Sequence, residues 1–171
     1  MTIAMRNMQA NYLNVGTAAQ PNYALMGVGF TKLDEKPNAK NKSKKYINDV
    51  SETKTITGYD WSAPYESDQI KDQEPIKFIY EIGKYQKVGS DAETDYIIVD
   101  LDEPAEGKGT VFNARKINVA IEVNEFGSDD GQMTCKGNLL GKGNMIQGTF
   151  DTSTRTFTPK AAGVTPASSK Q

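Results

Sequence analysis

The residues whose types could take part in catalysis are a single cysteine, Cys135, and the run Asp-Thr-Ser at 151–153. Serine or cysteine catalysis needs a general base, most often histidine, and the chain contains no histidine. Cys135 alternates with Gly137 and Leu139, which predicts a small buried thiol on the apolar side of a strand. The run at 151–153 is similar to an aspartic-protease loop, but it occurs once and in a polar stretch. It therefore predicts a hairpin turn.

Three further patterns fall short of a site. Glu66 and Asp68 are paired carboxylates of the kind that glycosidases use, although a solvated charge pair before a helix explains them as well. The Gly-Lys in 137–142 lacks the spacing and the Ser/Thr of a phosphate-binding P-loop. The Asp-Asp-Gly at 129–131 lacks the spaced carboxylates of an EF-hand loop. The sequence thus predicts no enzyme activity and no catalytic, cofactor-binding or metal site.

The strongest pattern is a separation of charge along a chain whose net charge is −2. Five lysines fall within the ten-residue segment 36–45, namely Lys36, Lys40, Lys42, Lys44 and Lys45. Residues 89–106 contain seven acidic residues and no Lys or Arg. The candidate partner patch within them is formed by Asp91, Glu93, Asp95, Asp102 and Glu103. Each stretch alone also fits a solvated segment, but complementary patches on identical subunits favour rings or filaments.

Several elements would position these charges within one domain of 171 residues. We predict that residues 1–22 form an N-terminal arm that is not a signal peptide, and that residues 159–171 form a flexible tail. Between them, residues 23–158 predict one β domain, with an exposed basic loop at 34–45 and a helix at about 72–87. No apolar run is long enough to span a membrane.

The fold class predicted is mainly β, an antiparallel β-sandwich or barrel with one flanking α-helix. The clearest support is residues 110–126, where Ile117, Val119 and Ile121 alternate with polar positions, as in a strand with one face in a core. Residues 127–131 predict a turn, followed by a strand at 132–140. A last hairpin is predicted over 145–157.

An ordered set of short motifs resembles the major tail (tail tube) proteins of long-tailed bacteriophages of Gram-positive bacteria. The motifs are KYINDVSET at 45–53, TGY at 57–59, IKD at 70–72, SDAETDY at 90–96, ARK at 114–116, VAIEV at 119–123 and GTFD at 148–151. They span about residues 45–158 in the family's order. The segments 1–21 and 159–171 carry no such motif.

The resemblance implies a structural role in a virion tail, assembled in the cytoplasm of a host bacterium. It implies hexameric rings that stack into a tube, with DNA passing through the lumen during ejection without sequence-specific binding. The loop at 34–45 would contact the neighbouring ring, and the terminal arms would bridge subunits. Expected partners are further copies of the chain, the tape measure, the tail terminator and the baseplate or distal tail proteins. No membrane partner is expected.

A second class of function stays open from the residues alone. A β-sandwich binding or adhesion module, recognising carbohydrate or a host surface, would present an aromatic platform. Trp61, with Tyr59 and Tyr65 nearby, is the candidate for such a platform. Packing of Trp61 in the core is the competing interpretation.

Overall fold

The computed structural model describes residues 1–105 and 109–161. Short 3-10 turns lie at Arg6–Met8 and Gly89–Ala92. The strands and helix are β1 (Gln9–Asn14), β2 (Tyr23–Leu25), β3 (Phe30–Leu33), β4 (Ala39–Lys44), β5 (Thr53–Tyr59), β6 (Ser62–Asp68), α1 (Glu74–Lys84), β7 (Glu93–Pro104), β8 (Val111–Asp129), β9 (Gln132–Asp151) and β10 (Thr156–Pro159).

The main sheet is antiparallel and has the strand order β2-β1-β7-β8-β9-β6-β3, with β10 paired to β9. It curls into a half-barrel, and α1 packs against β8. This architecture confirms the predicted class of mainly β protein with one helix. Within residues 1–105 and 109–161, no helix has the length and apolar character needed to cross a membrane.

The core forms on both faces of this sheet. One cluster joins the helix residues Ile79 and Ile82 to the alternating Ile117, Val119 and Ile121 of β8, as the sequence period predicts. A second, smaller cluster covers the other face at one end of the strands. It contains Tyr12, Tyr23, Ile97, Val99, Ala114 and Phe150. Strand β7 is therefore buried on both faces in its middle.

Helix α1 begins at Glu74, with Pro75 in its first turn, and ends at Lys84. The prediction of 72–87 was too long at both ends. Gln73, not Asp72, occupies the N-cap position. At the other end Gln86 has a φ of 49°, which is incompatible with a continuing α-helix.

The predicted arm at 1–22 is wrong for its central part. Strand β1 lies inside the sheet between β2 and β7, and Leu13 is completely buried. The apolar period is missing because two polar side chains, Asn11 and Asn14, are buried here as well. Asn11 Nδ2 donates to the hydroxyl of Tyr96 at 2.6 Å, and Asn14 Oδ1 accepts from two backbone amides, so both are satisfied.

The turns of the hairpins at the end of the chain agree with the sequence. The strand predicted at 132–140 and the first strand of the hairpin predicted at 145–157 are, however, one continuous strand, β9. Strands β8 and β9 are joined by a turn of two residues, Asp130 and Gly131, both with positive φ. An Asp-Gly pair suits this tight turn, so the strands extend further than the turn predicted at 127–131. The last hairpin turns between Asp151 and Thr156, as predicted. Of the predicted tail at 159–171, Pro159 belongs to β10 and residues 162–171 lie outside the described residues.

Candidate assembly surfaces

The basic segment does not form a loop. Residues 39–44 form β4, which pairs with β5 in a separate two-stranded sheet that projects from the body. We call residues 39–59 the ribbon and residues 46–52 its tip. Every residue of β4 is exposed, and so are all residues of β5 except the half-buried Gly58. The prediction of a loop at 34–45 failed because β5 supplies β-branched partners for a polar, lysine-rich segment, with Thr55 opposite Lys42 and Thr53 opposite Lys44.

The five predicted lysines are distributed along the ribbon. Lys40, Lys42 and Lys44 alternate, so they share one face of β4. Lys40 lies 3.6 Å from Asp60, and the ammonium of Lys44 lies over the ring of Tyr46. Lys36 lies at the base, where its backbone pairs with Ser62, and Lys45 directly precedes the tip. The structure thus brings three of the five together and separates Lys36 from them.

The opposite face and the tip of the ribbon carry apolar side chains that sequence reasoning missed. Ile56 and Tyr59 are exposed on β5, and Ile47 and Val50 are almost fully exposed at the tip. An isolated two-stranded hairpin with no packed face is marginal in water. The sequence indication of this apolar surface was the presence of two aliphatic residues, Ile47 and Val50, within the otherwise polar stretch 45–52.

An ion pair anchors the base of the ribbon. Arg115 of β8 donates to both carboxylate oxygens of Glu35, at 2.8 and 3.1 Å, and the indole Nε1 of Trp61 donates to the same carboxylate at 2.9 Å. Burial raises the pKa of Glu35, but these hydrogen bonds and the charge of Arg115 outweigh it and hold the pKa below its usual value. The ribbon therefore projects from a fixed base.

The predicted acidic patch is divided. Glu93 already binds Lys142 at 2.7 Å, and Asp95 lies 3.8 Å from Lys116. Asp91 lies in the 3-10 turn before β7, and Asp102 and Glu103 lie near its other end. Glu93 and Asp102 are roughly 30 Å apart at the rise of an extended strand. Glu106, the last residue of the acidic stretch, lies outside the described residues.

The half-exposed face of β6 to β9 lies opposite the helix and is acidic. Its charged residues are Glu66, Asp68, Glu93, Asp95, Lys116, Glu122, Glu125, Lys136 and Lys142. Carboxylates outnumber lysines, and Lys116 and Lys142 are paired within the chain. The net charge of this face is therefore negative, which disfavours contact with phosphate groups.

Cys135 and the turn at 151–153, the two positions considered first for catalysis, have structural roles. Cys135 is buried, and burial raises the pKa of its thiol, which keeps it neutral. Ser153 donates through its hydroxyl and its amide to Asp151, closing the predicted turn. Among the described residues, no group of three or more His, Cys, Asp or Glu side chains is placed to hold a metal ion.

The candidate aromatic platform is not a surface. Trp61 is 8% exposed and packs on Tyr96 with ring centroids 5.7 Å apart. Tyr65 is buried, and its hydroxyl donates to the Glu122 carbonyl. Tyr59 alone of the three is exposed, on the ribbon. The core-packing interpretation of Trp61 is correct.

No protein-family model matches the sequence, and no curated protein matches it either. Among solved structures, the fold matches a chain of the anti-feeding prophage baseplate, whose cryo-EM structure was symmetrised six-fold. The TM-score is 0.50 at 7% sequence identity, and the match covers 86% of this chain and 96% of that chain. The likeness at this identity is one of fold.

Proposed function

We propose that this protein is a structural subunit of a phage-type tail, and specifically a tail tube subunit that forms hexameric rings stacked into a tube. The observation that carries the proposal is the ribbon, whose two faces and apolar tip are exposed in the single chain. Such a surface is typical of a contact with another subunit. The fold likeness to a chain of a prophage baseplate and the tail tube motifs in the sequence agree with this role.

The acidic sheet face supports a conduit for DNA. A wall that attracts phosphate would retain the DNA, whereas a wall with an excess of carboxylates lets it slide. We assign the face that carries Glu122 and Lys136 to the lumen for this reason. The proposed partners are further copies of the chain, the tape measure, the tail terminator and the baseplate or distal tail proteins. No enzyme activity belongs to this role.

A second candidate is a baseplate ring subunit, because the matching solved chain belongs to a baseplate. Such a subunit would form one closed ring and then bind different proteins above and below it. A tube subunit would instead continue to add copies of itself.

Negative-stain electron microscopy and sedimentation of the concentrated protein, alone and with a tail initiator complex, test the proposal. Tubes of stacked rings are expected for the tube subunit. Single rings that do not grow would favour the baseplate role. Monomers under all these conditions would overturn both.

A further inference from the structure

We propose that the Arg6 side chain blocks an open strand edge of the half-barrel and so keeps the single subunit from pairing with further strands. The chain pairs with β1 as far as Met26 and then, from Phe30 onward, pairs with β6 instead. Strands β1 and β3 therefore diverge, and no strand pairing joins them in the part of the chain that the structure describes. We call the gap between residues 9–11 of β1 and residues 31–33 of β3 the seam.

Two backbone carbonyls point into the seam. Successive residues of a strand direct their N–H and C=O groups to opposite neighbours, so residues two apart face the same way. The Met26 amide donates to the Asn11 carbonyl at 2.8 Å, so Gln9 faces the same side, beyond the end of β2. The Asp34 amide donates to β6 at 3.1 Å, so Leu33 faces away from β6. The Gln9 and Leu33 carbonyls are thus the acceptors that a strand inserted in the seam would use.

Arg6 occupies both acceptors. Its Nη1 donates to the Gln9 carbonyl at 2.8 Å, and its Nη2 donates to the Leu33 carbonyl at 3.4 Å. A guanidinium carries five N–H groups in a planar fork, so one side chain can serve two carbonyls. Arg6 therefore supplies the donors that the backbone amides of an inserted strand would supply, and such a strand must displace it.

A chain of hydrogen bonds from the core holds the guanidinium in this position. Nη2 of Arg6 donates to Asn11 Oδ1 at 2.7 Å, and Asn11 Nδ2 donates to the hydroxyl of Tyr96 at 2.6 Å. Asn11 and Tyr96 are both buried, so this chain is shielded from competing water. Arg6 is thus fixed across the seam even though residues 1–5, which precede it, are all exposed.

The seam has room for another segment of chain. A cavity of about 540 Å³ lies beside Arg6, and residues of both edges line it, among them Gln9, Met26, Thr31 and Leu33. An unpaired strand edge next to such a space is a template for pairing with another chain. Charged side chains are one means by which proteins block such an edge, and Arg6 is placed to do so.

A second arginine lies at the neighbouring edge of the sheet. The Val15 amide donates to the Asn22 carbonyl, so Tyr23 faces away from β1 and its carbonyl lies on the outer edge of β2. Nη1 of Arg155, in the turn before β10, lies 3.5 Å from this carbonyl. Two open edges of the sheet are therefore each covered by an arginine from outside the strand concerned.

Substitution of Arg6 in the full-length chain tests the proposal. Sedimentation velocity is measured over a series of protein concentrations, starting where the wild type is monomeric. Arg6→Gln should associate at a concentration about tenfold lower than the wild type, because the two carbonyls lose a charge-assisted donor. Lys32→Gln is the matched control, since Lys32 also lines the seam and carries the same charge, and it should behave as the wild type. Association of Arg6→Gln no earlier than this control would overturn the proposal.

Arg6→Lys separates bridging from charge. This variant keeps the positive charge, but a single ammonium does not serve both sides of the seam as the planar guanidinium fork does. It should therefore associate nearly as readily as Arg6→Gln. Wild-type behaviour of Arg6→Lys would mean that charge alone protects the edge, and the proposed bridge would be wrong.

Two further measurements exclude a general loss of stability. Ile79→Val weakens the core away from the seam while keeping Arg6, and it should stay monomeric as the wild type does. Infrared spectra of the associated Arg6→Gln chain should show added intermolecular β-structure, and circular dichroism should show that its monomer is folded. Equal association of Ile79→Val, or association without added β-structure, would count decisively against the bridge.

The role of Arg6 goes beyond the proposed function and is independent of it, because it concerns the single subunit before any assembly. Wild-type protein that never forms rings or tubes would overturn the tail role and leave the comparison of the Arg6 and Lys32 variants intact. Wild-type protein that forms tubes, together with an Arg6→Gln chain that associates no earlier, would retain the tail role and overturn the block at the seam.

Discussion

Glu35 and Arg115, which are 80 residues apart in the sequence, form a two-pronged ion pair that attaches the base of the ribbon to strand β8. Their side chains are 23% and 31% exposed, so the pair is partly shielded from water. Trp61, immediately before β6, donates to the same carboxylate. The projecting ribbon and the body thus share one polar anchor.

Replacing Arg115 by Met should destabilise the protein by about 2 kcal/mol, because it leaves Glu35 half-buried without its cation. Urea unfolding measures the change. The control is Lys116→Met, which should cost less than about 1 kcal/mol. Its pair with Asp95 is as shielded as the anchor, but the two atoms are 3.8 Å apart, beyond hydrogen-bond distance, and Asp95 keeps its hydrogen bond from Asn118. Equal losses for the two variants would contradict the special role of the anchor.

Acid should weaken the same anchor. The folded pKa of Glu35 lies below its ordinary value of 4.5, so the carboxylate contributes stability above that pH. This contribution is lost as the pH falls through the lowered folded value. Unfolding free energies measured between neutral and strongly acidic pH should therefore fall less steeply for Glu35→Gln than for the wild type. Because Asp151 also has a low pKa, of about 2, and is present in both chains, the difference between the two curves isolates Glu35. Parallel curves would contradict the assignment.

Removing the positive charge of the ribbon should alter assembly but not folding. Replacing Lys40, Lys42, Lys44 and Lys45 by Ser leaves the core unchanged, since all four side chains are exposed. We expect slower assembly or a changed dependence on salt, measured by light scattering at several ionic strengths. Unchanged assembly would show that these lysines are solvated and do not contribute to the contact between subunits.

Two truncations test whether β1, unlike the residues before it, is needed for stable folding. Deletion of residues 1–5, which are all exposed, should leave the folded monomer and its melting temperature nearly unchanged. Deletion of residues 1–14 should prevent stable folding, because it removes Leu13 from the core and leaves the edge of β7 unpaired. A stable, cooperatively folded chain without residues 1–14 would contradict the inclusion of β1 in the sheet core.

The sequence was most informative where one face of an element meets the core. The alternation of Ile117, Val119 and Ile121 predicted β8 correctly because that strand has one apolar face and one half-exposed face. The same logic failed for β1, where Asn11 is buried and satisfied by a partner 85 residues away. Such a partner cannot be identified from a local pattern.

The assembly surfaces were predicted in part. The lysine cluster correctly marked an exposed projecting segment, but composition alone did not distinguish a loop from a paired ribbon. The acidic residues, which are close in sequence, do not form one patch, because the extended strand β7 separates those at its two ends. Internal pairing of Glu93 with Lys142 depends on the register of three strands, which the sequence does not reveal.

Trp61 is the only tryptophan in the chain, and its indole donates to the carboxylate that fixes the base of the ribbon. Its fluorescence therefore arises from one position, between the projecting hairpin and the body. Emission wavelength and quenching by small solutes would report how tightly that junction is held, without any added dye. A change in emission when subunits associate would follow the ribbon directly as it engages another copy.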